Sequence, residues 1–348
     1  PGQLVDDGVF SEAIERAALA NAGKPITVFE VLSAVMFVLF SEHAADVCLV
    51  EVGLGGRFDA TNVIDQPALS IITPVSLDHE AYLGDTFAKI AFEKAGIIKQ
   101  RVPVICSLQD VDALQVIEEK AAKMRAPLQV AGEHFLAMRE NGRMTWQGDD
   151  RLLDLPLPAL SGDHQVENAA NAIAACFAFA ENEGFELSNA AVESGLTSTT
   201  WAGRMQRLPD GKLTQMAPPE SDIWLDGGHN PGAAAMISNF MQHLQRQEAR
   251  PLTLICGMLT TKDPAGYFDH LKGLISQVIT VPITSSDAGF DAQDLAASAT
   301  GAGLAAKPAA SLEAALGMLD AAQEQRILIA GSLYLVGDAL AKNGTPPT

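Results

Sequence analysis

Several short stretches of this sequence gather residue types that do chemistry. In "EVGLGGRFDATN", residues 51–62, a carboxylate, Glu51, ends an apolar run ahead of Gly53, Gly55 and Gly56, and Arg57, Asp59 and Asn62 follow. A carboxylate there is costly unless it is paired or bound to a cation. Glu51 therefore reads either as a ligand for a hard cation such as Mg²⁺ or as the ion-pair partner of Arg57. "SLDHEAYLGD" (76–85) brings Asp78 and His79 to the end of a second apolar run, where the imidazole either ligates or simply hydrogen-bonds. "FEKAGIIK" (92–99) supplies Lys94, which either turns back to that edge or pairs with a surface acid. "WLDGGHNPGAAAM" (224–236) sets Asp226 at a strand end, then His229, Asn230 and Pro231 at a helix start, whose free N–H groups suit an anion. A capped βα turn accounts for the same residues. "CGMLTTKDP" and "AGSLYLVGD" end two more strands with Lys262, Asp263, Gly331 and Ser332.

The glycines are not a nucleotide fingerprint. G-x-G-x-x-G fails because Phe58 stands where the third glycine belongs, and the Gly-Lys pairs at 23–24 and 211–212 are followed by Pro25 and Leu213 rather than Ser or Thr. Charge narrows the partners further. With 43 acids against 23 bases the net charge is −20, which excludes a nucleic-acid or anionic-membrane surface as the main partner. The longest apolar stretch, "VFEVLSAVMFVLF" (28–40), is too short to span a bilayer and reads as a buried helix. Cys48, Cys106, Cys176 and Cys256 are scattered without a C-x-x-C pair, each in an apolar run, and read as buried free thiols in a reducing cytoplasm.

The elements that must position these residues alternate. Helical spacing covers 9–23, and Thr27 with Glu30 three positions on forms a capping box opening the apolar helix. "DVCLVEV" (46–52) and "ALSIITPV" (68–75) read as buried parallel strands, followed by a helix over 86–96, a strand over 102–107, a helix over 110–125 and a strand over 128–131. Between 133 and 157 short strands around Asn141-Gly142 predict an antiparallel hairpin, and 165–184 a long helix. The Pro- and Gly-rich segment 208–222 marks a boundary, beyond which four apolar strands alternate with helices as in a Rossmann-like domain.

In this order, "TVFE", "EVGLGGRFDATN", "LDH", "EKAGII", "HQVENAANAIAA", "AGRMQ", "DGGHNP", "GMLTTKD" and "AGSLYLVGD" resemble the folylpolyglutamate synthase and dihydrofolate synthase family of the Mur ligase superfamily, from about Thr27 to about Asp338. The resemblance implies an α/β fold: a Mur-ligase-like central domain (1–205), mostly parallel, with a small antiparallel region, a linker (206–222) and a C-terminal Rossmann-like domain (223–348). It implies ATP-dependent ligation of L-glutamate to dihydropteroate or a folate through an acyl phosphate, by a cytoplasmic monomer that binds neither nucleic acid nor membrane. Glu51, His79 and Lys94 resemble the metal ligands of two Mg²⁺ ions, Lys94 as a CO₂-derived carbamate. Asn168, Arg204 and Asp226 resemble ATP contacts; Thr27, Phe29, Glu30, Phe58, Asp59 and Ala60 resemble the pterin pocket. His229 and Ser332 resemble residues near the glutamate, which makes Lys94, Asp226 and His229 the implied catalytic set.

The family's glycine-rich phosphate loop, G-T-N-G-K-G-S, and its S-P-H segment have no counterpart here and are expected upstream of Pro1. The chain as written is accordingly expected to be inactive or nearly so. Two rival readings are a Mur-type ligase acting on a UDP-linked peptide and a truncated, non-catalytic paralogue that binds folate or partners.

Overall fold

The computed structural model describes residues 4–346. Helix α1 (Asp7–Asn21) is capped by the Asp6 carboxylate, which accepts the N–H groups of Gly8 and Val9. Helix α2 (Val28–Glu42) opens on the expected capping box: Thr27 accepts from the Glu30 N–H, and the Glu30 carboxylate accepts from the Thr27 backbone and hydroxyl, each at 2.7 Å. The two helices pack on each other, tied by an Arg16–Glu42 ion pair.

Two expectations fail here. Helix α2 is not buried: only Ser33 and Val35 are enclosed, while Val28, Phe29, Leu32 and Phe40 face outward. Residues 46–52 form no strand, and Leu49 in their midst is 85% exposed. A strand exists through its ladder, and hydrophobicity alone does not supply a neighbour.

The first sheet begins later, with β1 (Ser70–Ile72), and the chain continues through α3 (Glu80–Leu83), α4 (Phe87–Lys94), β2 (Val104–Cys106), α5 (Val111–Met124) and β3 (Leu128–Val130). The order is β1-β2-β3, all parallel, with Ile72 beside Cys106 and Cys106 beside Val130. Ile90, Ile98, Val104 and Ile117 fill the core between this sheet and its helices.

Strands β4 (Phe135–Glu140), β5 (Arg143–Gly148) and β6 (Arg151–Pro156) make an antiparallel meander, one strand more than the hairpin expected. Its first turn holds Asn141 and Gly142 at φ 49° and 76°, the left-handed pair that matches strand twist. Helix α6 (Asp163–Glu183) covers the meander, where buried Trp146 donates its indole N–H to the Ala170 carbonyl at 3.2 Å, and α7 (Asn189–Ser198) follows.

The remaining chain forms one six-stranded sheet. Its elements are β7 (Gln206–Arg207), β8 (Asp222–Asp226), α8 (Pro231–Gln247), β9 (Leu252–Cys256), α9 (Pro264–Asp269), β10 (Gln277–Thr280), α10 (Ala292–Gly301), β11 (Ala306–Pro308), α11 (Leu312–Gly317), β12 (Arg326–Ala330) and α12 (Leu333–Asn343). The spatial order is β11-β10-β9-β12-β8-β7, parallel except for β7. Strands β9 and β12 are buried at every residue, as their largely apolar sequences require when helices cover both faces; the polar exceptions, Thr253 and Arg326, donate to Gln325 and Asp222. Residues 206–222 are built onto this sheet: β7 pairs with β8, and Leu208 and Leu213 are buried in the same core as Ile223. No helix among the described residues is long and apolar enough to cross a membrane.

Candidate active site

Three loops of the second sheet meet by topology. Strands β9, β12 and β8 are neighbours with aligned ends, Ala330 lying beside both Cys256 and Asp226, so the turns after them open on one edge. Asp226 ends β8, buried, its two oxygens accepting the N–H groups of Met205 (2.9 Å) and Gly228 (2.7 Å). Burial pushes its carboxyl above the usual range against the pull of those donors, of Arg204 and of His164. The His229 ring contacts the Gly227 carbonyl through Nδ1 at 3.0 Å, and desolvation lowers its pKa. Asn230 caps α8, as the sequence suggested, by accepting the Ala233 N–H at 2.8 Å. Ser332 caps α12 from a buried position, accepting the Tyr334 N–H. Gly331, at φ 110°, leaves no room for a Cβ against Cys256 and Gly257, which is why this turn needs glycine.

The first unit answers with loops. Arg57 does not pair with Glu51: its guanidinium forms a fork with Glu93 at 2.7 and 3.1 Å and lies 4.2 Å and 4.9 Å from the ring centres of Phe58 and Phe92. The backbone docks as well, Arg57 N–H to the Glu93 carbonyl at 2.8 Å. A Cβ on Gly96 would collide with Arg57 itself, and one on Gly56 with Ile97 and the Glu93 carbonyl. The 51–62 loop is thus seated on the end of α4. The turn inside it is held by Asp59, whose carboxylate accepts from Leu54, from the Thr61 backbone and from the Thr61 hydroxyl. Glu51 is exposed on the unpaired segment ahead of this turn, not at a strand end.

Phe29 packs its ring against Gly53, where a side chain would clash, so "TVFE" and the glycine turn form one surface. Phe58 is 82% exposed beside it, and Ala60 is half-buried. Asp78 and His79 follow β1, His79 at φ 54° and half-exposed. Lys94 is half-buried at the end of α4, with no ion-pair partner among the described residues, so of its two readings the surface pair does not form. Desolvation lowers its pKa, opposed by the charge of Asp78. Asn168 lies near the start of α6, its amide donating to Gln165 at 3.1 Å, and His164 at that start senses both Asp226 and Arg204. Among the described residues no three His, Cys, Asp or Glu stand close enough to hold a metal by themselves.

A family profile for the dihydrofolate synthetase C-terminal domain matches residues 211–342. The chain is 32% identical to the folylpolyglutamate synthase of Lacticaseibacillus casei over 334 residues, 93% of this chain and 73% of that one. It belongs to the folylpolyglutamate synthase and dihydrofolate synthase family. The dihydrofolate synthase/folylpolyglutamate synthase of Bacillus subtilis is 34% identical over 235 residues, 66% of this chain and 52% of that protein. Among solved structures, Escherichia coli FolC in complex with DHPP and ADP superposes with a TM-score of 0.84 at 28% identity, covering 98% of this chain and 76% of that one. Mycobacterium tuberculosis folylpolyglutamate synthase, complexed with ADP and AMPPCP, gives 0.82 at 27% identity, covering 99% and 80%. The expected α/β fold is the fold of these proteins.

In this member of the folylpolyglutamate synthase and dihydrofolate synthase family, three polar residues carry more than the sequence assigned them. Asp78, Asn230 and Lys262 meet: the Asp78 carboxylate accepts from Asn230 Nδ2 at 2.9 Å and from Lys262 Nζ at 3.4 Å. The available signal was position, since each follows a strand; their partnership, across more than 150 residues, leaves no trace in local spacing.

Proposed function

We propose that this chain belongs to an enzyme that joins L-glutamate to the carboxylate of dihydropteroate or a folate at the expense of ATP. The observation that carries the reading is the meeting of Asp78 from the first unit, within reach of the Lys94 charge, with His229, Asn230 and Lys262 from the second, in a chain similar to folylpolyglutamate synthases over nearly its whole length. In the reaction the substrate carboxylate takes the γ-phosphoryl group, leaving ADP. The glutamate amine then adds to the acyl carbon, and the resulting tetrahedral adduct expels phosphate.

The residues divide this work. Phe29 and Phe58 offer aromatic faces for a pterin, over a turn whose shape Asp59 fixes from within. Thr27 and Glu30 hold Phe29 at the start of α2 through the capping box, with Ala60 on the adjoining turn. Asn168, Arg204 and Asp226 face the nucleotide between the two units. His229 and Ser332 stand at strand ends where the incoming amino acid is oriented, and orientation of the amine toward the acyl phosphate supplies much of the rate.

Glu51 and His79 offer the carboxylate oxygen and imidazole nitrogen that a divalent cation accepts, and Lys94 as a carbamate would add two more oxygens. The fit test is the lysine: an amine must be neutral to take up CO₂, and burial lowers the pKa of Lys94 in that direction. Bound there, Mg²⁺ would neutralise phosphate charge and polarise the transferring group. A solved relative, from Yersinia pestis, is complexed with AMPPNP and Mn ion. We place the enzyme in the cytoplasm, a reading supported by four free cysteines.

The test is glutamate-dependent release of ADP by the complete natural protein, with dihydropteroate, a reduced folate or a UDP-linked peptide as acceptor. Turnover with the pteridine acceptors and none with the UDP-peptide is expected. Turnover with the UDP-peptide alone, or no glutamate-dependent ADP with any acceptor, overturns the proposal.

A further inference from the structure

The connecting segment 201–207 bonds to β8 and its turn, through Gly203 to Gly227 and Met205 to Asp226; apart from that segment, every hydrogen bond and ion pair between residues 4–200 and 208–346 among the described residues ends on one carboxylate, that of Asp78. Its Oδ2 accepts from Asn230 Nδ2 at 2.9 Å and lies 4.0 Å from His229 Nε2; its Oδ1 faces Lys262 Nζ at 3.4 Å and accepts its own neighbour's N–H, that of His79, at 2.8 Å. We propose that Asp78 is an inter-domain latch, a positioning residue that holds the loops after β8 and β9 against the loop after β1 and so fixes how the two units face each other.

Each partner is placed to transmit position. Asn230 uses both ends of its amide, the oxygen capping α8 through Ala233 and the nitrogen reaching Asp78, so the start of α8 cannot shift without drawing on the carboxylate. This double use also fixes which way the amide points. Lys262 is 14% exposed, and Asp78 is its ion-pair partner. Partial burial of that pair makes the loss of one member costly to the other, which is left desolvated without a counter-charge. His229, held through Gly227, is brought to the same point. A carboxylate that gathers two loops of the opposite unit acts as a clasp, because breaking it releases both at once.

The latch stands on these contacts alone; its bearing on ligation rests on the reading proposed above, through the placement of His229 and Lys262. The experiment is therefore a distance measurement made without substrate. Spin labels are attached at Glu119→Cys on α5 and Asp294→Cys on α10, in a background with Cys48 and Cys176 changed to Ser, and pulsed dipolar spectroscopy reports the inter-domain distance distribution. The parent is expected to give a narrow distribution. Asp78→Ala should lengthen and broaden it, and Asp78→Asn, which keeps an acceptor for Asn230 but loses the attraction to Lys262, should fall between. Lys262→Met tests the clasp from the other side and should match Asp78→Asn. The exchanged pair Asp78→Lys with Lys262→Asp should narrow the distribution relative to Asp78→Lys alone, a recovery that a purely local role would not produce. Distributions for Asp78→Ala and Lys262→Met that both superpose on the parent overturn the latch, whatever the enzyme proves to ligate.

Discussion

Glu51, Phe58 and His79 stand on loops with their side chains open to solvent, whereas Asp226 and Ser332 stand at the ends of buried strands with their hydrogen-bonding groups already engaged. The two sheets behind them differ in the same way. The first has three strands of three residues each, with Ile71 partly exposed in the middle of β1; the second has six, of which β9 and β12 are enclosed throughout. The difference teaches that the second unit's candidate residues are part of its folding core, so function and stability are joined there. In the first unit they are separable at Glu51, Phe58 and His79, though not at Asp59, which holds its own turn, nor at the Thr27 and Glu30 capping box.

Four predictions, made on six substitutions, probe that contrast, the largest effect first. Leu328→Ala, at the centre of β12, should lower unfolding free energy by about 2–5 kcal/mol in a denaturant titration. Leu49→Ala should change it by less than roughly 0.5 kcal/mol, since the side chain is 85% exposed. A large loss at Leu49 would break the comparison by revealing packing on that segment.

Lys94→Ala, in the complete enzyme, is expected to cut turnover by about 10²- to 10³-fold, as for loss of a charge-stabilising group, with an unchanged denaturation midpoint. A lowered midpoint would join function to stability in the first unit too.

Asp226→Ala strands the buried N–H group of Met205 and the partly buried one of Gly228 and should cost about 1–3 kcal/mol, in addition to any loss of nucleotide binding. Calorimetry of the nucleotide-free protein separates the two effects. Glu51→Gln, the matching change in the first unit, should leave the melting temperature where it was.

The smallest effect concerns pH. Lys342 holds Glu313 at 2.7 and 2.9 Å, and this bonding brings the carboxyl down to about 2 from an ordinary 4.5. A pKa depressed on folding stabilises above the unfolded value and is lost on acidification, here between pH 4.5 and about 2. Glu313 is 37% exposed, so solvent screening limits the contribution to less than about 1 kcal/mol. Melting temperatures of the parent and Glu313→Gln should differ slightly at neutral pH and converge as pH falls through that window.

What could be read from sequence follows the same division. Strands β8, β9, β10 and β12 were legible because a strand buried on both faces is mostly apolar in its interior, while β11 was not, because at the sheet edge it carries Lys307 and Pro308 exposed. The capping box at Thr27 and the turn at Asn141-Gly142 were legible because both are set by residues within a few positions. The run at 46–52 misled, since hydrophobicity records a tendency to be covered but not what covers it. Arg57 misled for a related reason: Glu51 is six positions away and Glu93 is thirty-six, and the fold chose the distant one. Cys48 and Cys176 proved exposed although both sit in apolar stretches, and only Cys106 and Cys256 are buried. Asp78 was visible as a residue and invisible as a meeting point.

The close seat of Arg57 on Gly96 carries a consequence for anyone recombining such sequences. Because a side chain at 96 would occupy the space of residue 57, and Asn62 also donates to the Gly96 carbonyl at 3.2 Å, the two segments are one bipartite word with its halves written far apart. A chimera whose crossover falls between 57 and 93 takes each half from a different parent and inherits their mismatch. One that carries 51–99 as a single block keeps the word intact.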